Sequence, residues 1–295
     1  MFLFIIHKKY DLIVNMAIRQ KSRKRKLSRH KMRKRVSSTK IVDPPFARSL
    51  SKGTIASPGC CGIDYTHELD GYHYQNYENV TIFLETIVAK EPTLGKDVYL
   101  YKGNTEAFLE YNVQQDKVTP LQMSPHKFEM NLKQGIRSRE QFIPIILNLV
   151  ITREDNHANI LIVNKKTNNI ELFEPHGART SSSELGGVKS AYKKKVIALR
   201  KYFKDILPKY RVVNVVDAVR QTAFQMTEDP KGHTGFCVTW SILYSHYRFL
   251  NPSVPLSVLV RYIHHKINAR YILRYAKYIE TIVKDKSKFD KHLKD

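Results

Sequence analysis

Two aliphatic runs in the middle of the chain, Phe142–Ile151 and Ile160–Val163, with Ile170–Phe173 continuing the sheet, constrain the fold more than any other feature. They are nearly continuous rather than alternating, and β-branched residues recur in them. A strand with one wetted face alternates polar and apolar side chains, whereas an uninterrupted run suits a strand covered on both faces. The covering elements follow in the sequence. Val188–Leu207 has helical spacing, with Lys189, Lys193, Lys194, Lys195, Arg200 and Lys204 on its predicted outer face. Cys237–Leu250 is an apolar, helix-like stretch, and Leu256–Lys266 and Asn268–Lys284 are two more. Upstream, Asn79–Ala89 reads as a helix with Val80, Phe83, Leu84 and Ile87 on one face; Val98–Tyr101 and Tyr210–Val216 read as further strands. Strands in the middle with helices on both flanks predict an α+β domain.

The ends differ from this centre. Residues 17–40 hold twelve Lys and Arg and no Asp or Glu. Like charges at that density repel and leave nothing to bury, so residues 1–45 are expected to be a disordered basic arm and 46–295 the folded domain. The whole chain carries +23, so +11 remains when those twelve charges are removed, and the folded part is basic too. Such an excess predicts contact with polyanions, either nucleic acid held by phosphate neutralisation or an anionic membrane surface; a solvated tail or a localisation signal is the other reading of the arm. No apolar run approaches the roughly 20 residues of a membrane span. Phe2–Ile6 is too short for a signal-peptide core, and Met16 is an alternative start to Met1. Three cysteines, two of them adjacent (Cys60 and Cys61), make no disulfide framework and fit a reducing compartment.

Chemistry enters with His157, Glu174 and Cys237. His157 opens one strand-like run, Glu174 closes the next, and Cys237 heads the apolar helix after Gly232-His233-Thr234-Gly235. Thiol, imidazole and carboxylate are the parts of a cysteine nucleophile with its base and orienting acid. A turn at Lys166-Thr167 would make paired residue numbers sum to 333, setting His157 opposite His176 and diagonal to Glu174 on one face. An even loop keeps that shared face; an odd loop or a bulge separates the two residues. At the first turn of a helix, unpaired amides and the positive dipole end favour a thiolate at Cys237. The preceding glycines permit close substrate approach, and the Cys237 amide is a candidate oxyanion donor.

These residues resemble the adenain and Ulp-type cysteine peptidases. A histidine followed 17 residues later by an acid within Leu172-Phe173-Glu174-Pro175-His176-Gly177, with the cysteine downstream at the head of a helix, is similar to that family's order. In papain-like enzymes the cysteine comes first. The resemblance covers about residues 140–252. The segment Asp229–Pro252, with Gly235-Phe236-Cys237-Val238-Thr239-Trp240 and Asn251-Pro252, is also similar to proteins of large nucleocytoplasmic DNA viruses. It implies a mixed central sheet flanked by helices, Cys237 as nucleophile, His157 as base and Glu174 as orienting acid. Two positions depart from the family pattern. Ala158 stands where an aromatic residue commonly follows the histidine, and Lys231 stands near where the oxyanion glutamine is usual. Gln225 is the substitute, with Gln221 second.

The expected activity is therefore that of an endopeptidase processing viral core or virion precursor proteins. Deconjugation of ubiquitin-like modifiers, acyl transfer of the YopJ type and a catalytically silent nucleic-acid-binding virion protein stay open as alternatives. No cofactor is expected beyond a DNA or peptide activator. The expected partners are protein substrates and nucleic acid; the expected place is the virion or the host cytoplasm, with the nucleus as an alternative. A zinc site from His157, His176, His233 and Cys237 lacks the compact ligand spacings such sites use. His264-His265 read as core edge plus solvent. Arg261, Lys266, Arg270, Arg274 and Lys277 form a basic stripe beside the apolar Ile263, Ile267, Tyr271 and Ile279.

Overall fold

Two aliphatic strands, β3 (Phe142–Val150) and β4 (Asn156–Asn164), pair antiparallel along their whole length and form the middle of a six-stranded sheet. The computed structural model describes residues 40–44, 77–90, 97–101, 108–150, 156–175, 186–216, 224, 236–268, 271–272, 274–279 and 281–283. Among these, β1 (Phe108–Asn112), β2 (Lys117–Pro120), β5 (Asn169–Phe173) and β6 (Arg211–Asn214) complete the sheet in the order β2-β1-β3-β4-β5-β6. The β1–β3 and β5–β6 pairs are parallel and the others antiparallel, so the sheet is mixed. The basic run 17–39, Cys60, Cys61 and Arg270 lie outside the described residues.

Both sheet faces are covered, which is why the central strands are apolar without alternation. Against one face lie α2 (Pro125–Arg137) and α3 (Gly186–Ile206). Phe128 and Leu132 of α2 and Val196, Leu199 and Phe203 of α3 pack onto Ile143, Ile145, Leu147, Leu161 and Val163. Gly135 of α2 fits where no side chain would, since a Cβ would come within 2.9 Å of both Ile143 and Tyr99. Ser124 caps α2 by accepting from the Lys127 amide at 3.3 Å, and Pro125 follows at the first helical position, as helix starts favour.

The opposite face receives α4 (Cys237–Leu250), in which every residue from Cys237 to Phe249 is buried. A helix apolar all round must be enclosed by protein. Phe173 stacks on Tyr244 at 4.4 Å between centroids, and Phe142 meets Phe249 at 5.6 Å. The far side of α4 is covered by α1 (Tyr77–Lys90), whose Phe83 packs edge-on against His246 and Tyr275. The helix α5 (Leu256–Lys266) has the bounds expected from the sequence. Its Arg261 and Lys266, with Arg274 and Lys277 beyond it, are exposed, and Ile263, Ile267 and Ile279 are buried. Near the other end of the domain, Val42 exchanges two backbone hydrogen bonds with the Asn251 side chain, at 2.7 and 2.8 Å. Asp43 accepts from Tyr247, Tyr262 and Lys266.

One buried ion pair fixes α4 on the sheet. Both oxygens of Glu171 on β5 accept from Arg248, Nε at 2.8 Å and Nη2 at 3.0 Å. Glu171 also accepts from Tyr244 Oη and Asn164 Nδ2, each at 2.9 Å, while Arg248 Nη1 donates to the carbonyls of Asn251 and Val254. A buried carboxylate and guanidinium are tolerable when their remaining donors and acceptors are met in this way.

Two expectations change. Residues 99–101 form no strand; only Val98 makes an isolated bridge, to Phe142, with the Tyr99 amide donating to the Phe142 carbonyl. Lys195 does not share the outer face of α3 with Lys193, Lys194, Arg200 and Lys204, which are exposed; it is fully buried. The spacing that puts Val196 and Leu199 in the core turns position 195 inward as well.

Arg248→Met leaves the Glu171 carboxylate buried and unpaired, and is expected to destabilise the fold by about 3–5 kcal/mol. Adding Glu171→Leu to that variant recovers most of the loss, with both measured as urea-unfolding midpoints.

Candidate active site

The β4–β5 hairpin sets the site's geometry. Its ladder pairs Asn164 with Asn169 and Ile160 with Phe173, so partners sum to 333, as the sequence predicted for an even loop. The loop is the four-residue turn 165–168, in which Asn168 adopts φ 51°, a left-handed conformation that asparagine tolerates. With a period of two, His157, Asn159 and Leu161 of β4 share a face with Leu172 and Glu174, the face covered by α3. Glu174 is the first residue past β5, and His157 the second of β4. Cys237 is the first residue of α4.

The three side chains meet. His157 Nε2 lies 2.6 Å from Glu174 Oε1, leaving Nδ1 for the thiol of Cys237, which hydrogen-bonds the ring. The Ala158 backbone amide also donates to the sulfur. A cap residue with no acceptor, Phe236, and no acid in the first turn leave the positive end of α4 directed at Cys237.

Two residues absent from the sequence reading of the site complete it. Lys195 of α3 donates from Nζ to Glu174 Oε2 and, at 2.9 Å, to Asn159 Oδ1. Asn159 Nδ2 in turn donates to the His157 carbonyl at 3.2 Å. Relative exposure falls from 9% at Cys237 through 6% at His157 and 2% at Glu174 to zero at Lys195, so the chain of contacts runs from the sulfur inward.

Burial alone would strip the proton from His157, but the Glu174 carboxylate and the Cys237 thiolate reverse this and push its pKa up to about 10. Burial alone would raise Cys237, yet the adjoining imidazolium and the Ala158 amide bring it below the ordinary thiol value. Burial lowers Lys195, partly offset by Glu174. The arrangement thus favours a thiolate–imidazolium pair whose imidazole is held by a carboxylate, a poised sulfur nucleophile.

Gln225, Gln221, Lys231, His176 and His233 lie outside the described residues. Among the described residues no group of three or more His, Cys, Asp or Glu is placed to hold a metal ion, and no helix is long and apolar enough to cross a membrane.

No protein-family model matches this chain, and no curated protein matches it in sequence. Solved structures with a similar arrangement include the following three. The Chlamydia trachomatis effector Cdu1, bound to ubiquitin, is 12% identical and aligns over 71% of this chain and 93% of its own, with a TM-score of 0.41. The SUMO protease Ulp1, with its catalytic cysteine oxidized to a sulfenic acid, is 10% identical over 74% and 80% of the two chains, TM-score 0.39. The ASFV pS273R protease is 14% identical over 48% of this chain and 44% of its own, TM-score 0.27. Two of these are proteases by name, and the Ulp1 structure contains a catalytic cysteine.

The pKa directions predict the reactivity of the sulfur. With His157 protonated to about pH 10 and Cys237 below the ordinary thiol range, iodoacetamide should alkylate Cys237 readily at pH 7. Removing the imidazolium in His157→Ala leaves burial to dominate and raises the thiol. Its alkylation at pH 7, followed by mass spectrometry of the Cys237 peptide, should slow by ~10-fold or more.

Proposed function

We propose that this protein is a cysteine peptidase with Cys237 as nucleophile, His157 as the acid–base group that forms the ion pair with it, and Glu174 as the group that orients the imidazole. The observation that carries the reading is the 2.6 Å contact between His157 Nε2 and Glu174, with the Cys237 thiol on the other side of the same ring. The Cys237 thiolate attacks the scissile carbonyl carbon, forming a carbon–sulfur bond while the carbonyl π pair moves onto oxygen. The tetrahedral intermediate collapses to a thioester as the amine leaves with the proton from His157. His157, now neutral, takes a proton from water as it attacks the thioester, and the acid product departs with the thiolate restored. Backbone amides at the start of α4 are the donors for the transient oxyanion, joined in this proposal by the Gln225 side chain.

The sequence resemblance around Glu174 and Cys237 supports virion or core precursor proteins as substrates, cleaved where particles assemble. The same resemblance extends to peptidases for ubiquitin-like modifiers. The basic arm and the exposed lysines of α3 support nucleic acid as a partner or activator, held through phosphates rather than base edges.

In a cleavage assay on candidate precursor proteins and on ubiquitin-like conjugates, Cys237→Ala should lower activity by at least ~10³-fold while leaving DNA affinity unchanged. No cleavage of either class by the parent chain, with DNA binding intact, would mean a binding protein on this fold and sink the enzymatic reading. Deleting residues 17–40 should flatten the dependence of DNA affinity on salt; an unaltered slope would remove the arm as the contact.

A further inference from the structure

Lys195 is a lysine with no exposed surface in the middle of α3, between neighbours that point to solvent and neighbours that fill the core. An ammonium in that position is costly unless paired, and an apolar side chain would pack there without the cost. The amine is not merely tolerated, since it reaches the one oxygen of Glu174 that His157 leaves over. Each carboxylate oxygen therefore meets one cation, His157 Nε2 at Oε1 and Lys195 Nζ at Oε2. The Asn159 contact at 2.9 Å fixes the amine from the β4 side.

Charge explains why four groups are needed rather than three. Thiolate, imidazolium and carboxylate alone would place a net negative charge in the protein interior. The ammonium brings these four described groups to neutrality. Among the described residues, the charged and titratable groups facing Lys195 include Glu174 beyond β5, His157 on β4 and, through that ring, Cys237 on α4. Lys193 and Lys194 of its own helix point to solvent.

We propose that Lys195 is a positioning residue for the peptidase site: it holds one oxygen of Glu174 so that the other stays on His157, and its charge keeps that buried carboxyl ionised. This rests on the peptidase reading above and extends it. Without the ammonium, burial favours the protonated acid. The imidazolium then loses its counter-charge, and the thiol keeps its proton to higher pH.

The test is the rate of iodoacetamide alkylation at Cys237 in the full chain between pH 4 and pH 9 (about this range, chosen to span the carboxyl and thiol values), read by mass spectrometry. Lys195→Met should move the acid limb upward by about one pH unit, a ~5-fold loss of rate at the parent's midpoint, with the alkaline plateau kept within ~3-fold. In a Glu174→Gln background the same substitution should change nothing further. Should K195M fail to fold, Lys195→Gln, which removes the charge and keeps a donor, is read by the same criteria. An unshifted acid limb in the lysine variant, with labelling still dependent on His157, overturns this inference and leaves the peptidase reading standing. An equal loss at every pH in both backgrounds also overturns it, by showing a role in folding alone. Labelling of the parent chain that is indifferent to His157→Ala overturns both.

Discussion

The register of one hairpin decides where two buried carboxylates go. Glu171 and Glu174 lie three residues apart at the end of β5, so the two-residue period sends them to opposite faces of the sheet. Each meets a cation delivered by the helix covering its face: Arg248 from α4 for Glu171, Lys195 from α3 for Glu174. A slip of one residue in the β4–β5 ladder would exchange the faces, leaving both cations without partners and both acids against apolar side chains. The four-residue turn with Asn168 in its left-handed conformation therefore holds more than a loop's worth of structure.

The helix α4 joins those two faces. Its first residue carries the sulfur and its twelfth the guanidinium, separated by about 16 Å of helix. The tail is fixed by Arg248 to Glu171 and the head lies where β4 begins, with the Ala158 amide on the sulfur. A fully enclosed helix has little freedom to shift along its axis, because interiors pack at crystal-like density. The position of the thiol relative to the imidazole is thus set by contacts spread along the whole helix, and the aromatic stack of Phe173 on Tyr244 is one of them.

What could be read from the residues follows from which signals are local. The aliphatic runs marked β3, β4 and β5 because both sides are covered, and the polar run Asn164–Asn169 fixed the turn and hence the face shared by His157 and Glu174. Lys195 was misplaced for a physical reason. It sits in the run Lys193-Lys194-Lys195, where charge argues for solvent, and only the approach of β4 and β5 from elsewhere in the chain makes burial tolerable. Periodicity held a hint, since position 195 shares the inward side of α3 with Val196 and Leu199. The hairpin of β1 and β2 escaped because Phe108–Asn112 and Lys117–Pro120 are short and mixed in polarity. The helix α2 is likewise missing from the sequence reading, although Ser124-Pro125 is a legible start and Phe128, Leu132 and Gly135 form its buried stripe.

The inward gradient from Cys237 to Lys195 separates two kinds of electrostatics in one molecule. At physiological salt, mobile ions damp interactions between exposed charges beyond about 8 Å, but they do not enter a packed interior. Sodium chloride would therefore weaken any pull of the exposed lysines of α3 on a polyanion while leaving the sulfur's ionisation as it was. The exposed charge and the readiness of the thiol belong to separate regions, and the solution around the protein can tune one without touching the other.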